Sequence, residues 1–246
     1  MLSALLAWSG CSRQTKTTPT QGSVQEGLKP ASVAPPRFTT IRVDARAERV
    51  ELFLRDDEGR TFKRFERLRS WLASRNERLL FAMNAGMFQP DLSPVGLLVQ
   101  DGRQVSPLNL SDGAGNFFLK PNGVFLISES GPRIVESSEY PALARGVRLA
   151  TQSGPLLVRN GVLHPAINAA STSRLLRNGV GISGDTVIFV ISEQPVNFYE
   201  LATYFRDELH CPDALYLDGV VSSLYSTDLR RNDSTVDLGP IIGVVQ

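Results

Sequence analysis

Apolar and polar residues alternate over Ile41–Val43 and again over Val50–Leu54, and this period of two predicts two short strands at the start of a folded region that begins near Phe38. The period then changes. Phe62, Phe65, Leu68 and Leu72 recur every three or four residues, which predicts a helix from about Phe62 to Ser74 with one apolar stripe. The short apolar run Leu79–Met83 reads as a strand that delivers Asn84 to its end. Beyond it, the dipeptides Asp101-Gly102, Asn122-Gly123, Asn160-Gly161 and Gly184-Asp185 break up apolar segments. Such pairs supply the positive φ angles of two-residue hairpin turns, so the strands around them are expected to pair antiparallel.

A second helix is marked at both ends. Asn197 is placed to cap it, Glu200 to complete a capping box, and Val196 and Leu201 to form a hydrophobic staple. Phe198, Leu201, Ala202, Phe205 and Leu209 make its apolar stripe, and Pro212 follows its end. The run Ala214–Leu217 is again strand-like, and Asp218-Gly219 ends it. Together these elements imply an α+β fold: a large, mostly antiparallel or mixed sheet with few helices packed on it, in a single domain.

Ahead of this domain the pattern is lost. From Ser12 to about residue 36 the chain is Ser, Thr, Gln, Gly and Pro with almost no large apolar residue, a composition that cannot enclose a core and reads as a disordered tether. The first eleven residues, MLSALLAWSGC, are apolar and end in small residues and a cysteine. They are too short to span a bilayer as a helix. This segment resembles a bacterial lipoprotein signal, which implies acylation of Cys11 and an exported, periplasmic protein of the envelope that meets the membrane only through that anchor. The expected organisation is therefore a signal at 1–11, a tether at 12–36 and a folded domain at 37–246.

Charge and cysteine content narrow the chemistry. With 26 basic and 25 acidic residues the net charge is +1, so no strong field exists to gather nucleic acid. The cysteines Cys11 and Cys211 and the histidines His164 and His210 show no zinc-binding spacing, and no metal site is assigned. Cys211, without a partner after export, reads as a small buried hydrophobe. Glu200 is explained by its cap.

Polar and glycine-rich clusters follow several apolar runs, where a rigid scaffold presents side chains to a cleft: NAGMF (84–88), ATQSGPLLV (150–158), RNGVGI (177–182), SEQ (192–194) and LYLDGVVSSLY (215–225). In order and spacing they resemble the phosphodiester glycosidase family. The matching positions are Asn84, Gly86 and Phe88; Ser153, Gly154 and Pro155; Arg177, Gly179 and Gly181; Glu200, Leu201 and Ala202; and Asp218, Gly219, Ser222 and Ser223. Glu193 where many members have Asp, and Val220-Val221 in place of glycines, point to the bacterial branch.

The resemblance implies an enzyme that cleaves the bond between a sugar's anomeric carbon and a phosphodiester. Such cleavage passes through an oxocarbenium-like transition state that a carboxylate stabilises or intercepts, while the leaving group is already a stable anion. A cation for the phosphate then matters more than a general acid. Asp218 is the expected catalytic carboxylate, as base or nucleophile, and Glu193 the second; Arg177 is expected on the phosphate. Asn84 and Gln152 are expected to bond sugar hydroxyls or the phosphate. The backbone around Gly86 and Gly219 is expected to approach the anion, and Ser153, Gly154, Ser222 and Ser223 complete the expected substrate contacts. The partner is a phosphoglycan or sugar-1-phosphodiester, with no cofactor. Two other readings stay open: a non-catalytic module binding envelope polysaccharide, and a phosphodiesterase that cuts the P–O bond with a calcium or magnesium ion on Asp218 and Glu193.

Overall fold

Three of the four turn dipeptides form hairpins, in the computed structural model that describes residues 37–233 and 235–246. Cys11, the leader and the tether lie outside the described residues. Asp101 and Gly102 (φ 47° and 72°) join Leu98–Gln100 to Arg103–Ser106, and Asn160 and Gly161 (φ 50° and 76°) join Leu156–Arg159 to Val162–Leu163. Gly184 (φ 60°) turns Asn178–Ser183 into Thr186–Ser192. Asn122-Gly123 is the exception. Asn122 is buried, its side chain donating to the Phe117 carbonyl at 2.8 Å, and Gly123 opens the strand Gly123–Ser128. A Cβ on Gly123 would fall 2.6 Å from Leu156 Cδ2, so this glycine serves close packing and not a turn.

The strands form three antiparallel sheets in place of the single large one expected. One runs, edge to edge, through Phe38–Asp44, Thr186–Ser192, Asn178–Ser183, Asp213–Asp218, Leu156–Arg159 and Val162–Leu163. A second contains Arg231–Asn232, Leu224–Ser226, Leu79–Asn84, Ile241–Val245 and Arg49–Phe53; a third contains Arg103–Ser106, Leu98–Gln100, Val147–Ser153, Gly123–Ser128 and Gly131–Glu136. The first two predicted strands thus belong to different sheets. Strand twist accumulates across a wide sheet, and splitting it lets inner faces bury one another. Phe189 of the first sheet shows the result: its ring lies 5.0 Å from Phe81 of the second and 6.3 Å from Phe125 of the third. The domain is α+β.

The helix at Phe65–Ala73 buries Phe65, Leu68 and Leu72 against Phe53, Ala82 and Ile241 of the second sheet. It begins later than its stripe predicts because Lys63 has φ 63°, outside the right-handed helical region. Phe62 still packs on Phe53 and Trp71, but from the segment before the helix. The second helix has its predicted cap: Glu200 N–H donates to Asn197 Oδ1 and Asn197 N–H to Glu200 Oε2, both at 2.9 Å. It is α-helical over Phe198–Thr203 and widens to a π turn over Tyr204–Glu208. Gly179 and Gly181 make room for it, since a Cβ on either would meet the Phe205 ring at 3.1 and 2.7 Å. Cys211 is buried beside them, and burial pushes its thiol up to about 11.

Candidate active site

Strand ends from all three sheets meet at one place. Asn84 closes Leu79–Asn84, Asn178 opens Asn178–Ser183, Asp218 closes Asp213–Asp218 and Ser153 closes Val147–Ser153. The amides of Asn84 and Asn178 face each other, Asn178 Nδ2 donating to Asn84 Oδ1 at 3.2 Å and Asn84 Nδ2 to Asn178 Oδ1 at 3.3 Å. Asn178 Oδ1 also accepts the Asp218 N–H at 3.0 Å, and Ser153 Oγ donates to the Leu217 carbonyl at 2.9 Å. The backbone that presents Asp218 is therefore held by Asn178 of its own sheet, which Asn84 of the second sheet braces, and by Ser153 of the third.

The Asp218 side chain stands beside a cavity of about 460 Å³. Its Oδ1 accepts the N–H of Gly219 at 2.5 Å and of Val220 at 2.9 Å, a turn that fixes the carboxylate at the strand end. Asp218 as a residue is 8% exposed. Burial raises its pKa above the ordinary aspartate range, while the amides of Val220, Gly219 and Val221 pull the other way.

Tyr216, two residues earlier on the same strand, lines the same cavity. Its hydroxyl accepts a hydrogen bond from Arg177 Nη1 at 3.1 Å. Arg177 is 0% exposed. Its Nε donates to the Val196 carbonyl and its Nη2 to the carbonyl and hydroxyl of Ser173, with the guanidinium 4.0 Å from the Phe198 ring centroid. Among the described residues no carboxylate pairs with it. Its charge is thus set in low dielectric behind Tyr216, next to Gly219, where a Cβ would lie 2.0 Å from the Tyr216 hydroxyl and 3.3 Å from Arg177 Nη1. Burial raises the Tyr216 pKa, with Asp218 adding to the rise and Arg177 opposing it. The Tyr216 hydroxyl also bonds the Asn116 side chain, which lines the same cavity.

Arg177 is consequently near the cavity without lining it, which corrects the expectation that it touches phosphate directly. Other expected contacts are likewise taken up inside the protein. Gly86 N–H donates to Thr151 Oγ1, and a Cβ there would lie 2.3 Å from the Gln152 carbonyl. Gly154 is packed against Asn122 and the Phe117 carbonyl. Ser222 Oγ donates to the Leu176 and Asp218 carbonyls and Ser223 Oγ to the Val221 carbonyl, while Ser223 N–H binds Asn84 Oδ1.

Gln152 is fully engaged. Its Oε1 accepts the N–H of Leu97 and Asn109, and its Nε2 donates to the Asn109 carbonyl and Ser137 Oγ. Gln152→Leu strands several of these buried groups and is expected to cost roughly 3 kcal/mol or more in urea unfolding. Activity per folded molecule should be retained; its loss would return Gln152 to the substrate.

Glu193 is not brought to Asp218's cavity. Its Oε1 receives Arg231 Nη1 and Thr39 Oγ1, each at 2.5 Å, in a partly exposed cluster. The two carboxylates that a shared cation or an acid–base pair requires are therefore not assembled. Among the described residues no group of three or more His, Cys, Asp or Glu side chains is placed to hold a metal ion. Glu193→Gln should leave kcat within about threefold of wild type, as expected for an exposed ion pair; a loss beyond a hundredfold would restore it to the mechanism.

Sequence reasoning passed over Tyr216 and Asn178. Both stand inside the clusters LYLD and RNGVGI, and the one available signal was Tyr216's two-residue offset from Asp218, which puts the two on one face of a strand.

Fold and site define an α+β domain that presents one buried carboxylate, backed by one buried cation, to a cavity where three antiparallel sheets meet. The chain belongs to the phosphodiester glycosidase family, whose model matches residues 77–244. The uncharacterized protein YigE of Escherichia coli (strain K12) is 35% identical to it over 184 residues, covering 74% of this chain and 72% of that protein. The zebrafish N-acetylglucosamine-1-phosphodiester alpha-N-acetylglucosaminidase catalytic domain, solved auto-inhibited by its pro-peptide, shares the fold with TM-score 0.58 at 14% identity, over 85% of this chain and 84% of that one. A hypothetical protein from Synechocystis aligns with TM-score 0.59 at 15% identity, over 85% of this chain and 59% of that one.

Proposed function

We propose that this chain is a hydrolase of the bacterial envelope that cleaves the glycosidic bond of sugar-1-phosphodiesters. The observation that carries the reading is the pairing, on one strand, of the buried Asp218 carboxylate with a Tyr216 hydroxyl held by the buried Arg177. Asp218 stabilises or intercepts the positive charge that develops at the anomeric carbon. The Tyr216 hydroxyl, polarised by Arg177, faces the phosphate as the C1–O bond breaks. A second carboxylic acid is dispensable because the departing phosphate monoester is a stable anion. Family membership supports this reading, as does the activity named for the zebrafish enzyme of the same fold.

Incubation of the purified chain with N-acetylglucosamine-1-phosphodiesters in ¹⁸O-labelled water tests it. Label is expected in the released sugar. Label in phosphate would instead mean P–O cleavage, and saturable binding without product would mean a glycan-binding module. Envelope location rests on the leader, and Cys11→Ala is expected to move the protein out of the membrane fraction.

A further inference from the structure

Cleavage of a sugar-1-phosphodiester requires room for the sugar on one side of the phosphate and for the second alcohol on the other. Asp218 and Tyr216 supply the charged and polar edge of the cavity. Most of the remaining wall is of another kind: Phe88, Pro90, Val95, Phe117, Phe118 and Val221 contribute hydrocarbon, with polar side-chain termini only from Gln89 and Asn116. A sugar ring placed there would bring several hydroxyls out of water with few groups to receive them, which weakens binding. A hydrocarbon chain has no hydrogen bonds to surrender on entry and would gain the burial of its surface, less the entropy of ordering it. The wall also continues outward, since Val220 lines the rim beside Asp218 and is 84% exposed.

We propose that this cavity is the aglycone subsite and takes an aliphatic alcohol, so that the substrate joins a sugar through C1 to the phosphate of a long-chain alkyl ester. The assignment rests on the glycosidase reading for its chemistry. In that reaction the oxygen of water bonds to C1, the C1–O bond breaks with its electron pair going to the phosphate oxygen, and the proton lost from water passes through Asp218 to solvent. The products are a free sugar and an alkyl phosphate anion. A chain longer than the cavity leaves along Val220, and the cavity volume of about 460 Å³ is that of a small-molecule site.

Two arms test the inference independently. In the first, the full chain carrying Asp218→Asn is titrated calorimetrically with methyl phosphate and with hexyl phosphate, at concentrations where neither forms micelles. Hexyl phosphate is expected to bind about 30-fold more tightly, a discounted gain for five buried methylenes, and Val95→Asn or Phe88→Gln in the same background should shrink that ratio. Equal affinities would overturn the proposal. In the second arm, the wild-type chain hydrolyses the methyl and hexyl diesters of N-acetylglucosamine 1-phosphate, and kcat/KM should favour hexyl by a similar factor. Chain-length preference in binding without any hydrolysis leaves the subsite standing and removes the glycosidase reading. Hydrolysis at equal kcat/KM with equal binding does the reverse.

Discussion

Asp218→Asn is expected to lower kcat for release of free sugar by roughly 10³-fold or more, while leaving a protein that is folded and more stable at neutral pH than the wild type. The two effects share one cause. Asparagine keeps the oxygen that accepts the Gly219 and Val220 amides, so the turn survives, but it removes the charge that stabilises the developing cation. Burial raises the Asp218 pKa in the folded state. The stability that Asp218 contributes is therefore fully present below its unfolded pKa, where the carboxyl is neutral in both states, and is lost as pH rises through the folded value. The asparagine variant should consequently gain on the wild type above that value, seen as a higher melting temperature at neutral pH, and the gap should close in acid. The wild-type rate should fall at a pH higher than an ordinary aspartate would give, because the ionised form is the active one. Wild-type turnover by the asparagine variant would remove Asp218 from the mechanism.

Arg177→Met is expected to cost roughly 10²-fold in kcat/KM per folded molecule, together with a stability loss of roughly 3 kcal/mol because the Val196 and Ser173 carbonyls and the Tyr216 hydroxyl lose their donor. Arg177 is a buried cation whose partners are carbonyls, hydroxyls and rings, with no carboxylate among the described residues to offset its desolvation. Its hydrogen bonds serve the fold, whereas its uncompensated charge, on the proposed reading, serves an anion in the cavity beyond Tyr216. Arg177→Lys should not restore activity, because one ammonium cannot reach Val196, Ser173 and Tyr216 at once in the guanidinium's fork geometry. Tyr216→Phe removes the hydroxyl and keeps the cation, and should show an intermediate loss of about tenfold. Paired kinetics and urea unfolding of the three variants check this. Methionine at 177 with kcat/KM within threefold of wild type would show that the substrate does not sense the buried charge.

The local elements were legible wherever one interaction between near neighbours decides them. Asn160-Gly161 makes a hairpin because its φ angles suit few other residues, and Asn197 with Glu200 caps a helix because the two side chains reach each other's amides three residues apart. Asn122-Gly123 carries the same turn signal but is diverted by packing: Leu156, distant in sequence, lies where a Gly123 side chain would be. Periodicity likewise placed Phe62 on the correct apolar face while missing that Lys63 adopts a conformation no right-handed helix contains. Phe62 is buried either way, and a stripe of burial does not report the backbone beneath it.

For the candidate site, the structure gathers Asn84, Ser153 and Asp218 at one junction of strand ends, and bonds several of the residues expected on the substrate inside the protein. The sequence points to Asn84 and Gln152 as polar side chains after apolar runs, to Gly86 as a loop amide open to an anion, and to Ser153 through the family resemblance. Each instead meets a partner from another sheet or loop, such as Asn178 for Asn84 and the Asn109 loop for Gln152, and those partners lie 94 and 43 residues away. Glu193 and Asp218 look alike in sequence, each a carboxylate after an apolar strand. Arg231 and Thr39 engage the first, and a turn of its own backbone buries the second beside a cavity.

By itself, the sequence determined the strands that end at Asn84 and Asp218, the apolar stripes and one cap of two helices, and where three hairpins turn, because propensity, capping and periodicity act over a few residues. Only the tertiary structure decided that the strands divide into three sheets, that Arg177 lies behind Tyr216, and that one carboxylate faces the cavity. Those outcomes depend on which distant side chains each strand end meets, and burial sets their charges and hydrogen bonds only after the sheets have closed on one another.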